Sequence, residues 1–135
     1  MPRAARLFVL LAAVLVLSSC SDPYAEALKH IARGDAAYAE RKFPEAILEY
    51  KIAISLAGTA SSAYFKLAES YVKTDDLREA FGNYQRAADL EPANDEYQIK
   101  AGNLLLVVGR FQEAKAKARI VLERNPKSIP GIILL

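Results

Sequence analysis

The sequence predicts an all-α fold: a solenoid of helix–turn–helix units, with three full repeats and the start of a fourth. Three observations predict it. First, Gly34, Ala68 and Gly102 stand 34 residues apart, and Ala46, Ala80 and Ala114 keep the same interval. Small residues at one fixed interval mark places where two helices approach closely, and a period of this length signals stacked helix pairs. Second, apolar residues within a period recur at helical spacing: Tyr64, Leu67, Ala68, Tyr71 and Val72 form one stripe, and Leu77, Ala80, Phe81, Tyr84, Ala87 and Ala88 form another. Third, breakers fall between the stripes. Thr74-Asp75-Asp76 offers short polar side chains that favour turns and caps, and Glu91-Pro92 closes the second stripe because proline disfavours a helical residue before it.

The first element is a leader over residues 1–19. Arg3 and Arg6 make a basic start, and Leu7 to Leu17 is an unbroken apolar run, too short to span a bilayer comfortably. Leu17-Ser18-Ser19-Cys20 follows. The pattern of an aliphatic residue, two small residues and a cysteine resembles the lipobox of bacterial lipoproteins. That resemblance implies cleavage before Cys20 and acylation of its thiol. The alternatives are an ordinary secretory signal and an uncleaved membrane anchor. Cys20 is the only cysteine, so no intrachain disulfide can form. Several acyl chains hold a protein at a membrane where one holds it weakly. Ser21 after the cysteine, in place of the aspartate that retains such lipoproteins at the inner membrane, favours the outer membrane facing the periplasm, with the inner membrane the alternative. Residues 20–26 are then the lipidated cysteine and a tether.

The repeats follow at 27–60, 61–94 and 95–128. The second carries Tyr64, Leu67, Ala68 and Tyr71 in its first half and Ala80, Tyr84, Ala87 and Pro92 in its second. The first keeps Gly34, Ala46, Tyr50 and Ala53, but has Arg33, Ala37 and Gly58 at positions where Leu, Tyr and Pro are usual. Gly58 is expected to end its helix through a left-handed conformation. The third keeps Gly102, Phe111, Ala114 and Pro126, with Leu105 and Ala118 replacing aromatic residues. This pattern resembles the tetratricopeptide repeat (TPR) family. Residues 129–135, Ile-Pro-Gly-Ile-Ile-Leu-Leu, fall in register as the start of a fourth unit. They are read either as an apolar tail packed on the third unit or as the edge of a longer array, in which case neighbouring repeats are partners.

The family resemblance also implies a binding groove lined by the first helix of each unit. Carried over position by position, the groove residues are Ile31, Asp35 and Tyr38; Phe65, Glu69 and Val72; and Ile99, Asn103 and Leu106. Such a groove suits a peptide or protein partner. The alternative is that these residues pack against further repeats. One subclass of the family clamps a partner's C-terminal carboxylates. The five clamp positions here hold Ile31, Asp35, Lys66, Glu96 and Lys100, which argues against that role.

Chemistry of other kinds finds little support. Once the leader's two arginines are set aside, basic and acidic residues number 16 each, which argues against nucleic-acid binding by bulk charge. One histidine, His30, at a repeat-core position, and one cysteine provide neither metal-ligand spacing nor a catalytic triad. Asp75-Asp76 and Asp95-Glu96 read as helix caps. No phosphate-binding glycine loop follows a strand. A basic cluster of Arg110, Lys115, Lys117, Arg119, Arg124 and Lys127 reads as a solvated face or as a docking patch for an acidic partner.

The sequence thus leads to a non-enzymatic, cofactor-free TPR scaffold, lipid-anchored in the bacterial cell envelope and binding a protein through its groove. A self-associating array and an accessory segment of a longer repeat protein or enzyme are the alternatives. A Cys20→Ala variant is expected to lose acyl labelling and to stay uncleaved in a metabolic-labelling experiment; normal processing with membrane retention would contradict the lipobox reading.

Overall fold

The computed structural model describes residues 22–135. The leader, Cys20 and the first residues of the tether lie outside the described residues. Seven helices run in order among those described: α1 Pro23–Ala39, α2 Phe43–Leu56, α3 Ser61–Lys73, α4 Leu77–Leu90, α5 Asp95–Val107, α6 Phe111–Arg124 and α7 Ile129–Leu134. None of them is long and apolar enough to cross a membrane. They pair as α1 with α2, α3 with α4 and α5 with α6, and each pair stacks on the next. Helix α7 packs against α6 and α5.

Helix α1 starts four residues ahead of Ala27 and takes in Pro23–Glu26, which the sequence reading gave to the tether. The cause is local. The Asp22 carboxylate accepts a hydrogen bond from the Tyr24 N–H at 3.0 Å, and Pro23 occupies the first turn, where its missing N–H costs nothing. Side-chain caps also start α4, α5 and α7: Asp76 accepts from Glu79 N–H, Asn94 from Tyr97 N–H and Ser128 from Gly131 N–H.

The turn within each unit is one repeated device. The N–H groups of Lys42, Asp76 and Arg110 donate to the carbonyls of Ala37, Tyr71 and Leu105 at 2.9, 2.9 and 2.8 Å. Arg41, Asp75 and Gly109 donate to Tyr38, Val72 and Leu106. This is the double bond pattern of a Schellman C-cap, which needs a left-handed residue. Arg41, Asp75 and Gly109 supply it, with φ of 61°, 62° and 75°. The expected left-handed Gly58 is not observed. Instead α2, α4 and α6 all end on a non-helical residue of negative φ, Ala57, Glu91 and Asn125, with φ between −139° and −128° and ψ between 75° and 86°. Pro92 and Pro126 keep the residues before them out of the helical region. Ala57 adopts the same backbone ahead of Gly58 without a proline.

The core is built from the small residues that define the period. Ala46, Ala68, Ala80 and Ala114 are fully buried. Gly34 lies under the ring of Tyr50, so close that a Cβ there would overlap the ring carbons. In the third unit Ala118 is too small to fill the space that Tyr50 fills in the first. Leu134 of α7 takes it instead, lying over Gly102 in the same overlapping manner. Leu134 is buried with Leu105, Ala114 and Ala118, whereas Ile129, Ile132, Ile133 and Leu135 are exposed. Helix α7 therefore both seals the third unit and presents an apolar outer face.

Two glycine substitutions should move stability in opposite directions. Gly34→Ala drives a methyl into a buried ring held by its own hydrogen bond and should cost about 1–3 kcal/mol. Gly82→Ala, with nothing near its Cβ on an exposed face of α4, should gain about 0.5–1 kcal/mol from helix propensity. Thermal melts of the two variants check both signs.

Candidate functional site: the groove of α1, α3 and α5

The first helices of the three units line two adjoining clefts. One, of about 310 Å³, is lined by Asp35, Tyr38, Tyr50, Phe65, Lys66 and Glu69. The other, of about 330 Å³, is lined by Glu69, Val72, Lys73, Leu77, Tyr84, Lys100, Asn103, Leu104 and Val107. Glu69 belongs to both, so the clefts form one continuous groove.

A polar ladder forms its floor. The Tyr50 hydroxyl, from α2, donates to Asp35 Oδ1 on α1 at 2.7 Å, and Lys66 Nζ, from α3, donates to the same oxygen at 2.7 Å. One period later the arrangement recurs. The Tyr84 hydroxyl of α4 donates to Glu69 Oε1 on α3, and Lys100 Nζ of α5 donates to that oxygen at 2.8 Å. Each rung ties three helices: the acid's own, its partner within the unit, and the first helix of the next unit. In the third unit the ladder stops. The three equivalent positions hold Asn103, Ala118 and Leu134.

The electrostatics follow from this geometry. Burial pushes the Tyr50 and Tyr84 phenols far above their ordinary range, and donation to an adjacent carboxylate adds to the effect. Burial alone would raise the Glu69 carboxyl. The hydrogen bonds from Lys100 and Tyr84, with the charge of Lys100, outweigh burial and hold it below the ordinary 4.5. The groove therefore keeps its second carboxylate ionised at neutral pH.

Six of the nine sequence-predicted groove residues line these clefts: Asp35, Tyr38, Phe65, Glu69, Val72 and Asn103. Ile31, Ile99 and Leu106 line neither, which corrects the expectation for them. Ile31 is buried in the core with Ala27 and Ala46. Ile99 and Leu106 are half-buried, packed against the cluster of Leu105, Ala114, Ala118 and Leu134 that α7 completes. The sequence reading did not assign Tyr50, Tyr84, Lys66 and Lys100 to the groove. Their signal was present: the tyrosines are one period apart, and so are the lysines and the acids that they meet.

Phe65 is fixed by a ring stack on Tyr97, with centroids 4.6 Å apart, and by a tilted contact with Tyr84 at 5.4 Å. Tyr38 is held edge-on by Phe43 at 5.3 Å. The remaining polar groups serve the scaffold. His30 Nδ1 meets Glu49 Oε2 at 2.7 Å across α1 and α2, and Arg124 joins α6 to Asp95 and to the Pro92 carbonyl. Asp76 caps α4, and Asp95 opens α5. Among the described residues no group of three or more His, Cys, Asp or Glu side chains is placed to hold a metal ion.

No family model matches the chain, and no curated protein matches its sequence. Solved structures do match. The TPR domain of Arabidopsis OM64 superposes with a TM-score of 0.72 at 20% identity, covering 83% of this chain and 93% of that one. The second TPR domain of human RPAP3, in complex with the HSP70 peptide SGPTIEEVD, gives 0.74 at 24% identity, covering 84% and 94%. The first TPR of Spaghetti (RPAP3), bound to the HSP90 peptide SRMEEVD, gives 0.73 at 19% identity, covering 82% and 87%. The chain thus has the fold of TPR domains, the all-α helix-pair solenoid that the 34-residue interval predicts.

The depressed carboxyl of Glu69 has a measurable consequence. A group whose folded-state value lies below its unfolded one stabilises the fold above the unfolded value and loses that contribution as pH falls through the folded value. Acidification from about pH 5 to about pH 3 should therefore destabilise the natural protein more than a Glu69→Gln variant, read as the difference in melting temperature across that range.

Proposed function

We propose that this protein is a non-enzymatic scaffold that binds a protein or peptide partner in the groove of α1, α3 and α5. The supporting observation is the pair of adjoining clefts, which combine exposed apolar and aromatic surface with side chains already fixed by the polar ladder. Preorganised side chains lose little freedom on binding, so more of the contact energy appears as affinity. Two of the structural neighbours are complexes with peptides, which supports the same use of the fold here. Their peptides end in acidic residues. In this chain the clamp positions are altered: Ile31 is buried, Lys66 and Lys100 are engaged by Asp35 and Glu69, and Glu96 is acidic. The reading therefore does not extend to an acidic-tail clamp.

We further propose that Cys20 carries the lipid that anchors this scaffold in the bacterial cell envelope, with the outer membrane facing the periplasm favoured. Anchoring confines the groove to two dimensions and raises the effective concentration of membrane-bound partners. A second reading, self-association or stacking of further repeats on α7, is favoured by the exposure of Ile129, Ile132 and Ile133. Sedimentation of the full chain over a range of concentrations separates the two: a concentration-independent monomer supports the scaffold, and progressive assembly supports the array.

Selection of a random peptide library against the full chain in detergent tests the groove. Selected peptides should lose affinity for an Asn103→Trp variant, which fills the second cleft from an exposed position, while its melting temperature is kept. Undiminished binding by that variant and by Tyr38→Ala would contradict the assignment of the groove.

A further inference from the structure

The two ends of the stack differ in kind. At one end α1 carries exposed Lys29 and Arg33, at positions that one period later hold the buried Ala63 and Leu67. At the other end α7 turns Gly131 and Leu134 inward and leaves Ile129, Ile132 and Ile133, a helical stripe, 70%, 55% and 76% exposed. Charge is segregated along the same axis. Residues 22–94 carry nine Lys and Arg against twelve Asp and Glu, whereas residues 95–135 carry seven against four. Part of that basic excess borders the isoleucines. Lys115 and Arg119 share a face of α6 with Leu122, and Leu122 lies against Gly131 of α7. Lys127 sits in the turn that leads into α7, and all three cations are exposed. None of them is paired with an acid among the described residues. The acids of α6 are Glu113, which Arg110 holds, and Glu123, and residues 125–135 contain none.

We infer that the α7 end of the stack docks on an anionic lipid surface, with Ile129, Ile132 and Ile133 entering the boundary between headgroups and acyl chains and Lys115, Arg119 and Lys127 meeting the lipid phosphates. This goes beyond the groove reading and depends neither on the groove nor on Cys20. An aliphatic stripe rimmed by cations has the chemistry of an interfacial helix: the apolar side chains leave water while the charges stay among the headgroups. The flexible stems of lysine and arginine let those charges reach out from the helix surface. A second copy of the chain fits the same surface worse in either direction. Stacked head to tail, it would press Lys29 and Arg33 onto the isoleucines, where α7 offers no acid to meet them, and burying an unpaired charge is costly. Joined tail to tail, it would set Lys115, Arg119 and Lys127 against their own copies, and like charges across an interface repel. A phosphate-rich surface supplies both the apolar phase and the opposite charge.

The chain contains no tryptophan, so Ile133→Trp gives a single reporter of what covers α7. Leu48→Trp, at an exposed position of α2 in the first unit, is its control. Each full-length variant is reconstituted with vesicles of phosphatidylcholine and phosphatidylglycerol in about a 2:1 ratio, or of phosphatidylcholine alone, with and without brominated acyl chains. Ile133→Trp should shift to shorter wavelength and be quenched by bromine in the anionic vesicles, and should stay unquenched in the neutral ones. Leu48→Trp should stay unquenched in both. Lys115→Gln and Arg119→Gln, each added to Ile133→Trp, should lower the ratio of docked to undocked protein roughly fivefold, and added salt should lower it further. Circular dichroism melts keep the variants comparable, since every substituted position is exposed. Absence of quenching in anionic vesicles, equal quenching in neutral ones, or no response to either cation variant overturns the lipid surface. Short-wavelength emission before any lipid is added also overturns it and gives α7 a protein partner, a second copy if the shift fades on dilution. The groove reading stands in each of these cases.

Discussion

Each unit depends on a side chain small enough to let a large one lie on the backbone of its neighbouring helix. Gly34 provides that clearance in the first unit, where the Tyr50 ring rests on α1 with no space for a methyl group. Gly102 provides it in the third, under Leu134. The consequence reaches beyond packing density. With its ring seated there, Tyr50 can carry a hydroxyl across to Asp35 on the groove side. A buried hydroxyl must find a partner, since an unmade buried hydrogen bond is expensive. The small residue, the ring and the acid are therefore one requirement spread over two helices.

The lysine adds the third helix. Lys66 and Lys100 come from the next unit and bind the acids of the unit before. Exposed ion pairs contribute little to stability on their own. Their place is the seam between units, where each ties a new first helix to the first helix of the unit before. The third unit shows what happens when the set is lost. The positions that would give Asn103 its tyrosine and lysine hold Ala118 and Leu134, and Leu134 of α7 packs there with Leu105 and Ala114. The polar half of the groove thus grades into an apolar end. Phe65, braced by Tyr84 and Tyr97, stands where the two halves meet.

The fold was legible because its signals are local or strictly periodic. The 34-residue spacing gives the unit, the apolar stripes give the helices, and Thr74-Asp75-Asp76 and Pro92 give the breaks. Two details were misread for local reasons. The cap formed by Asp22 with Pro23 extends α1 into the presumed tether. The left-handed residue sits in the turn within each unit, at Arg41, Asp75 and Gly109, and only the last of these is a glycine that sequence could flag. The groove was legible in part. Exposed and half-exposed positions such as Asp35, Phe65 and Asn103 line the clefts, as the repeat pattern implies. Ile31, Ile99 and Leu106 did not, because whether an apolar side chain lines a groove or sinks into the core depends on the volume left by distant residues. In the third unit Ile99 and Leu106 pack against a cluster that includes Leu134 of α7, a contact that no position-by-position transfer contains. The ladder escaped notice because its partners are separated by 15 and 31 residues, distances that no single helix period connects.

Stacked units of this kind behave as a one-dimensional array, each stabilised by its neighbours, so the middle unit should be the firmest. The account's central claim is that equally spaced small residues lock successive helix pairs into such a stack and so form a single groove. Residue-resolved hydrogen exchange on the full chain tests it most directly. The account predicts strong protection along α3 and α4, weaker protection at the outer faces of α1 and α7, and fast exchange at Gly58, Thr59 and Ala93 in the turns between units. Equal exchange throughout, or a middle unit that opens as readily as the turns, would contradict it.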